Sequence, residues 1–232
     1  MKIIKGNIFN TKCQTIVNTV NTVGIMGAGI ALEFKFRYPE MFKKYKVLCD
    51  NGSFEMGKLW LYKHSNNKYV FNFPTKVDWK YPTKEEYLFR GLEKFAFSYE
   101  RIGIKSIAFP LLGASNGGIG NERSLEIMEH YLTDCQIPIE IYQYDPKAYD
   151  DLYISFRNKL DEFSIEELIL ITKIKRHLLL KIIGAVKDTN IHSISQLATV
   201  NGIGLVTLEK VFMLCIKPAG ITRQKQLDLG IL

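Results

Sequence analysis

The sequence is poor in the residues that bind metals or cross-link a small fold. Its 232 residues include four cysteines and four histidines, which lie far apart and form no CxxC pair. Structural zinc sites and disulfide frameworks need such residues at short, regular spacings. We therefore expect a reduced, intracellular protein with no metal site and no cofactor.

Long apolar runs are absent as well. No stretch of about 18 consecutive apolar residues occurs, as a membrane-spanning helix would require. The first residues, Met-Lys-Ile-Ile-Lys-Gly-Asn, contain no long apolar segment of the kind that signal peptides carry. These absences predict a soluble, cytoplasmic protein that does not bind a membrane.

The chain has a moderate excess of positive charge. It carries 31 lysines and arginines against 24 acidic residues, a formal net charge of +7. The excess is spread along the sequence and is not gathered in a basic tail. Such a balance favours a polyanionic partner, such as nucleic acid or a phosphate-bearing ligand, although lysine-rich surfaces are also common in solvated proteins.

The apolar pattern alternates between strand and helix periods up to about residue 157. The predicted strands are 2–5, 15–20, 58–62, 69–73, 106–110 and 139–144, and the predicted helices are 28–36, 39–50, 83–101 and 121–134. The start of the third helix, Thr83-Lys-Glu-Glu, is typical of a capping box. This alternation predicts an α/β fold with a mixed, largely parallel sheet that is flanked by helices on both faces.

The pattern becomes entirely helical towards the end of the chain. We place a domain boundary at residue 158, with a small helical region over 159–232. Ser164 is the expected N-cap of a helix in this region. Breaks between helices are expected at 188–190, 201–204 and 217–218.

Two glycine-rich loops each follow a predicted buried strand and enter a helix. The first, Asn21 to Gly29, contains three glycines, and the second, Gly113 to Gly120, contains four. Glycines let the backbone approach a ligand, and the N–H groups of a helix start attract anions, so each loop is a candidate phosphate cradle. The alternative is a tight turn without a ligand. A dinucleotide-binding Rossmann site fits less well, because the first loop reads G-x-x-G-x-G and follows the second strand.

These stretches resemble the ligand-binding motifs of macro domains, which bind ADP-ribose. Within that family the chain is most similar to the DarG-type DNA ADP-ribosyl glycohydrolases, the antitoxins of DarT toxins. The resemblance covers residues 1 to about 157. It rests on NTVNTVG from Asn18, MGAGIA from Met26, NFPTK from Asn72, and Asn116-Gly117-Gly118 after Gly113.

The resemblance implies an ADP-ribose site at the glycine loops. Asn18 and Asn21 would contact the distal ribose, and the two loops would hold the diphosphate and ribose. Lys76 would be the catalytic residue. The residues implied to bind the ligand are Asn7, Ile8, Asn18, Asn21, Gly24, Ile25, Met26, Gly27, Ala28, Gly29, Gly113, Ala114, Ser115, Asn116, Gly117, Gly118 and Tyr144.

Lys76 also has a chemical rationale of its own. It follows an apolar predicted strand, so we expect it at the carboxyl end of that strand, near the first loop. A partly desolvated lysine can attack the anomeric carbon of a sugar or transfer a proton there. Both roles remain open, and the alternative is one solvated surface lysine among many.

The sequence departs from the macro domain pattern at two places. Related lysine-dependent glycohydrolases carry an aspartate in or near the second loop, whereas residues 114–120 contain none. An acid/base partner would have to be Asp78 or a water molecule, or would be absent. Asn7 stands where many macro domains have an aspartate near adenine, which keeps hydrogen bonding but removes the charge.

Two further segments are candidates for contact with nucleic acid. Asp78-Trp79-Lys80-Tyr81 has the composition of a basic-aromatic edge that stacks on bases, although a tryptophan is more often simply packed. Residues 194–211 resemble a helix-hairpin-helix DNA-binding motif, with Asn201, Gly202 and Gly204 in the hairpin. A helix–glycine–helix turn used only for packing is the alternative.

The sequence therefore predicts a lysine-dependent glycohydrolase that removes ADP-ribose from modified DNA. One alternative is a hydrolase of mono-ADP-ribosylated protein. Another is a non-catalytic module that binds ADP-ribose, which the missing aspartate favours. ADP-ribose and ADP-ribosylated DNA are the expected partners. The resemblance also implies a cognate ADP-ribosyltransferase toxin, although the tail does not match the toxin-binding region of DarG-type proteins.

Overall fold

The computed structural model describes residues 1–187 and 190–216. These described residues form two compact units, the first over Met1–Ala148 and the second from Tyr149 onwards. Two expected breaks between helices are affected by these limits. Residues 188 and 189 of the first, and both residues of the break at 217–218, lie outside the described residues.

The first unit is built on one six-stranded sheet. Its strands are β1 (Lys2–Gly6), β2 (Thr15–Asn21), β3 (Trp60–Ser65), β4 (Lys68–Lys76), β5 (Ile107–Pro110) and β6 (Ile139–Tyr144). They are ordered β1-β6-β5-β2-β4-β3, and every pairing is parallel except that of β3 with β4. The prediction of a mixed, largely parallel sheet is confirmed.

Four helices of this unit pack on the sheet: α1 (Gly29–Arg37), α2 (Pro39–Asp50), α3 (Glu85–Ser98) and α4 (Asn121–Leu132). Side chains alternate between the two faces of a strand. Val17 of β2 packs in one apolar cluster with α3 and α4, whereas Ile16 and Val20 pack in a second cluster with α1 and α2. The helices thus cover both faces, and each face carries its own core.

The predicted capping box at Thr83 is wrong. Helix α3 begins at Glu85, and its N-cap is Lys84, which makes no side-chain capping bond. Thr83 is instead drawn to the second glycine loop, because its N–H donates to the Gly117 carbonyl oxygen at 2.9 Å. Its hydroxyl is buried and has no hydrogen-bond partner among the described residues.

The second unit is helical over its described residues. It contains α5 (Asp151–Glu162), α6 (Ile165–Thr172), α7 (Arg176–Val186), a short 3-10 helix (Ser195–Thr199) and α8 (Leu205–Ile216). Ser164 caps α6 in a capping box with Glu167, as the sequence predicts. None of the described helices is both long and apolar enough to cross a membrane.

The division between the units precedes α5, whereas the sequence placed the boundary at residue 158. Helix α5 packs inside the second unit, since Tyr153 and Phe156 are buried there. In addition, the Lys159 ammonium donates to the carbonyl oxygen of Leu214 in α8 at 2.7 Å. These contacts are made over a long sequence separation, which local composition does not reveal.

Candidate functional site

Three segments meet at the carboxyl ends of the central strands. Strand β2 lies between β4 and β5 in the sheet. In the structure the first loop spans residues 22–28, between β2 and α1, and the second loop spans residues 111–120, between β5 and α4; the two names are used with these bounds from here on. Because parallel strands end at a common edge, both loops and the last residue of β4 come together there.

Asn21 organises the first loop. Its Oδ1 atom accepts the N–H groups of Val23 and Ile25 at 3.1 and 3.2 Å, and the Tyr45 hydroxyl oxygen lies 3.1 Å from it. Its Nδ2 atom donates to the Ile25 carbonyl oxygen. The amide is thus engaged within the protein and fixes the loop. A contact between Asn21 and a ribose stays a prediction.

Asn18 lies beneath the first loop. Its side chain is fully buried and donates from Nδ2 to Oδ1 of Asn72 on β4 at 3.0 Å. The sulfur of the buried Met26 lies 3.9 Å from the same nitrogen, and the Asn18 Oδ1 atom has no partner among the described residues. Asn18 is therefore covered by protein atoms, and a direct contact between Asn18 and a ligand stays a prediction.

The first loop presents an uncapped helix start. Gly24 and Gly29 have positive φ angles of 77° and 56°, which glycine adopts readily. The N-cap of α1, Ala28, has no side-chain hydrogen bond, and the first turn of α1 has no acidic residue. Its N–H groups are therefore available to an anion at the loop.

The second loop is folded tightly on itself. A Cβ atom on the buried Gly117 would lie 2.2 Å from the Gly113 carbonyl oxygen, so this position accepts no side chain. The same carbonyl accepts the Ile119 N–H at 3.1 Å. Gly118 and Gly120 have φ angles of 84° and 88°, and a Cβ atom on either would meet no neighbouring atom. This leaves one side of the loop open.

Lys76 joins the two loops. It is the last residue of β4 and is paired with Asn21, whereas the sequence predicted only that it would lie near the carboxyl end of this strand. Its ammonium donates to the carbonyl oxygen of Asn116 in the second loop at 2.5 Å. The side-chain nitrogen of Asn116 lies 2.9 Å from the position that a Cβ atom on Gly29 would occupy. The structure thus brings Lys76, Asn116 and the start of α1 together.

No carboxylate is bonded to Lys76 within residues 1–148. Asp78 is close in sequence, but its Oδ1 atom accepts the Lys80 N–H at 3.0 Å and closes a local turn. The second loop contains no acidic residue. The site therefore consists of one amine, two backbone loops and buried amides.

Asn7, Ile8 and Tyr144 lie further along the same edge. Asn7 follows β1, is buried, and accepts the Phe9 N–H at 3.0 Å as the cap of a short 3-10 helix. Ile8 is buried beside it, whereas Tyr144 at the end of β6 is 63% exposed. Because Gly6 pairs with Tyr144, these residues lie together beside the central site, on the edge strand β1 and its neighbour β6.

Sequence reasoning missed the support that Tyr45 gives to the first loop. Its hydroxyl donates to the Asn21 carbonyl oxygen at 2.7 Å, and burial raises its pKa well above the usual range. No motif marks this residue, which reaches the loop from α2. The partnership of Asn72 with Asn18 was also missed, although Asn72 opens the NFPTK stretch that carries the resemblance.

In the second unit, the hairpin residues 200–204 precede α8. Gly202 has a φ angle of 89°, and the Lys181 ammonium donates to the Asn201 carbonyl oxygen at 3.0 Å. The Gly204 carbonyl accepts the N–H groups of Thr207 and Leu208 at 3.0 and 3.1 Å, and a Cβ atom on Gly204 would meet open space. The start of α8 is thus accessible at this hairpin.

Comparison with known proteins gives consistent matches. Residues 17–128 match the macro domain family. A Thermus aquaticus protein named "DNA ADP-ribosyl glycohydrolase" is 34% identical over 149 residues, which cover 63% of this chain and 41% of that protein. A Thermosipho africanus "DNA ADP-ribosyl transferase-DNA ADP-ribosyl glycohydrolase fusion protein" is 31% identical over 179 residues, 69% of this chain and 46% of that protein.

Solved structures match the same part of the chain. The macrodomain of Thermus aquaticus DarG superposes with a TM-score of 0.58 and 33% identity, covering 61% of this chain and 97% of that one. The macrodomain of Mycobacterium tuberculosis DarG gives a TM-score of 0.58 and 35% identity, covering 61% and 95%. Thermosipho africanus DarTG in complex with ADP-ribose gives 0.58 and 31%, covering 62% and 41%.

The matched region spans less than half the length of these two curated relatives. It nevertheless spans nearly the whole of the two solved macrodomains. The sheet, the two glycine loops and this similarity all indicate a macro domain. The chain belongs to the macro domain family.

Proposed function

We propose that the protein hydrolyses the N-glycosidic bond between ADP-ribose and a modified base of DNA, with Lys76 as the catalytic residue. The observation that carries this proposal is the position of Lys76 between the two glycine loops, where its ammonium is bonded to Asn116. The names of the relatives that are 31–34% identical support the substrate.

In this proposal the two loops hold the diphosphate and the distal ribose. Residues 24–29 offer the uncapped start of α1 to the diphosphate, and residues 113–118 close over the ribose. The buried Asn18 and the hydrogen-bonded Asn21 lie beneath the first loop in this proposal. Asn7, Ile8 and Tyr144 would lie along the adenosine end, where an amide replaces the carboxylate of many macro domains.

The reaction consumes one water molecule. The bond between C1 of the distal ribose and the base nitrogen breaks, the hydroxyl of water goes to C1, and its proton goes to the base. Lys76 serves either as the nucleophile that first bonds to C1 or as the group that moves the proton. Either role requires the loops to hold C1 at the lysine nitrogen.

The test compares two modified substrates. The full chain is incubated with a single-stranded oligonucleotide that carries ADP-ribosylated thymidine and, separately, with a mono-ADP-ribosylated protein. We expect release of free ADP-ribose from the DNA at a much higher kcat/KM than from the protein. Faster release from the protein would instead select a protein hydrolase, and no release from either would reject hydrolysis.

A non-catalytic ADP-ribose-binding module is the second candidate. Among the residues that the structure describes, no carboxylate is bonded to Lys76, and the second loop contains no acidic residue; both features favour this candidate. Calorimetry distinguishes the two functions. Tight binding of ADP-ribose together with no turnover on either substrate would select the binding module.

The Gly27→Ala substitution tests the close approach of the ligand to the first loop. A Cβ atom on Gly27 would lie 3.6 Å from Ile25, an ordinary contact, so we expect the thermal stability of the free protein to be unchanged. The added methyl group would stand between the loop and the diphosphate. We expect the Kd for ADP-ribose, measured by calorimetry, to rise about tenfold or more. An unchanged Kd would place the diphosphate elsewhere.

We further propose that the hairpin of the second unit binds DNA phosphates through backbone N–H groups, at Asn201, Gly202 and Gly204. The positive φ of Gly202 and the open space around Gly204 support this.

A cytoplasmic transferase that modifies DNA would supply the substrate. The fusion of transferase and glycohydrolase named in the Thermosipho africanus relative supports such a partner.

The Gly204→Asp substitution tests the hairpin. Aspartate is a good N-cap, so it should keep or raise the stability of α8 while its carboxylate occupies the N–H groups and repels phosphate. We expect duplex DNA to bind about tenfold more weakly in an anisotropy titration. Lys175→Ala lowers the net charge equally at another helix start of this unit and is the control. Equal losses in both variants would reduce the effect to general electrostatics.

A further inference from the structure

A cluster of exposed apolar side chains borders the site. Ten large apolar side chains are exposed within Met1–Ala148, and five of them lie in the first loop or directly after β4. We call these five residues the rim: Val23, Ile25, Val77, Trp79 and Tyr81. Trp79 and Tyr81 are 52% and 66% exposed. Clustered exposed aromatic side chains indicate a surface that binds a partner.

The rim is fixed to the site by backbone bonds. The N–H and hydroxyl groups of Thr22 both donate to the Val77 carbonyl oxygen, at 3.1 and 3.0 Å. Val77 directly follows Lys76. Beyond it, the N–H groups of Lys80 and Tyr81 donate to Asp78, at 3.0 Å to its side chain and 3.2 Å to its carbonyl oxygen. This turn presents Trp79 and Tyr81 three and five residues from Lys76.

The charge around the rim favours an anionic partner. Residues 76–84 contain three lysines and one aspartate. The Lys80 ammonium lies 5.6 Å from the centroid of the Trp79 ring. The nearest acidic residue of α3, Glu85, is bonded to Arg123 at 2.7 Å, and Arg123 also pairs with Glu126 at 3.1 Å. An apolar protein surface laid on the rim would remove water from the Lys80 ammonium without offering it a new anionic partner, whereas a phosphate would supply one.

Exposed aromatic rings next to lysines fit single-stranded nucleic acid. Unpaired bases stack on aromatic side chains while basic groups follow the phosphates. A duplex keeps its bases stacked inside and offers the rings little. We propose that the rim binds the nucleotides next to the modified base in single-stranded DNA. Trp79 and Tyr81 stack on bases there, and Lys80 contacts a phosphate. This inference rests on the proposed function and narrows its substrate.

The kinetic test uses the full chain and two substrates of different length. One is an ADP-ribosylated single-stranded oligonucleotide, and the other is ADP-ribosylated thymidine, which has no neighbouring bases. We expect Trp79→Ala to raise KM for the oligonucleotide about tenfold with little change in kcat. Its kinetics on the nucleoside should match those of the wild type. Trp79→Phe retains an aromatic ring, so its KM for the oligonucleotide should stay close to that of the wild type.

A matched control is available near the end of α3, the helix that begins four residues after Tyr81. Phe97 is 85% exposed near the end of α3, far along the helix from the rim. Phe97→Ala should leave both substrates unaffected. An equal rise of KM for the nucleoside and the oligonucleotide in Trp79→Ala would overturn the inference, since the tryptophan would then act on the site itself.

A second measurement does not depend on turnover. The chain has two tryptophans. The other one, Trp60 in β3, packs against an apolar cluster of the core. Unmodified single-stranded oligonucleotide should quench tryptophan fluorescence of the wild type but not of Trp79→Phe. Undiminished quenching in that variant would contradict the inference. If the wild type hydrolyses neither substrate, the proposed function fails, and the quenching still decides whether the rim binds single strands.

Discussion

Replacing Lys76 by alanine is expected to abolish the release of ADP-ribose from modified DNA. The amine is a reactive group that the structure brings between the two loops, where it is bonded to Asn116. A group that acts in proton transfer accelerates a reaction by about 10²- to 10⁴-fold, so kcat should fall by about 100-fold or more. The Kd for ADP-ribose, measured by calorimetry, should change little because the loops remain in place.

Two controls make the Lys76 experiment specific. Lys43→Ala removes an exposed ammonium that is paired with Glu40 on α2, and it should leave kcat unchanged. Lys76→Arg keeps the positive charge but has no free amine at accessible pH, so it should be as inactive as alanine if the amine itself reacts. Wild-type turnover by Lys76→Ala would remove this residue from the mechanism.

Gly117→Ala is expected to damage both folding and ligand binding. Its Cβ atom would lie 2.2 Å from the Gly113 carbonyl oxygen, and two backbone segments cannot separate without opening the loop. The carbonyl oxygens that hold Thr83 and Lys76 would then move. Overpacking of this kind costs about 1–3 kcal/mol, which thermal or denaturant unfolding would detect. ADP-ribose binding should weaken more than tenfold.

Comparison of the two glycine variants separates the fold of the site from its contact with the ligand. Gly117→Ala should lose stability and affinity together. Gly27→Ala, whose added Cβ atom meets only Ile25 at 3.6 Å, should lose affinity alone. Wild-type stability in Gly117→Ala would mean that the second loop is not packed as described.

The sequence alone predicts the sheet, the order of helices and strands, and the place of Lys76. These predictions follow from local patterns. Along β2, for example, the neighbours Ile16 and Val17 belong to different cores, as the alternation of side chains in a strand predicts. The extension of β4 to Lys76 was not predicted. It depends on pairing with β2, which includes the Asn21–Lys76 pair and a register shift beside it.

The use of polar side chains within the site was harder to predict. An asparagine after a strand can face a ligand or its own backbone, and only the folded loop reveals that the Asn21 amide is bonded within the protein. Thr83 has the sequence of a capping residue, yet the second loop captures its N–H. The exposure of Trp79 likewise depends on the turn at Asp78, since a tryptophan is more often packed.

The central claim is that the two loops clasp the diphosphate and hold C1 of the distal ribose at the amine of Lys76. A crystal structure of the full chain with ADP-ribose tests it most directly. We expect the diphosphate at the start of α1 and C1 within about 3.5 Å of the Lys76 nitrogen. Density for the nucleotide outside the two loops, or a Lys76 side chain turned away from the sugar, would contradict the account.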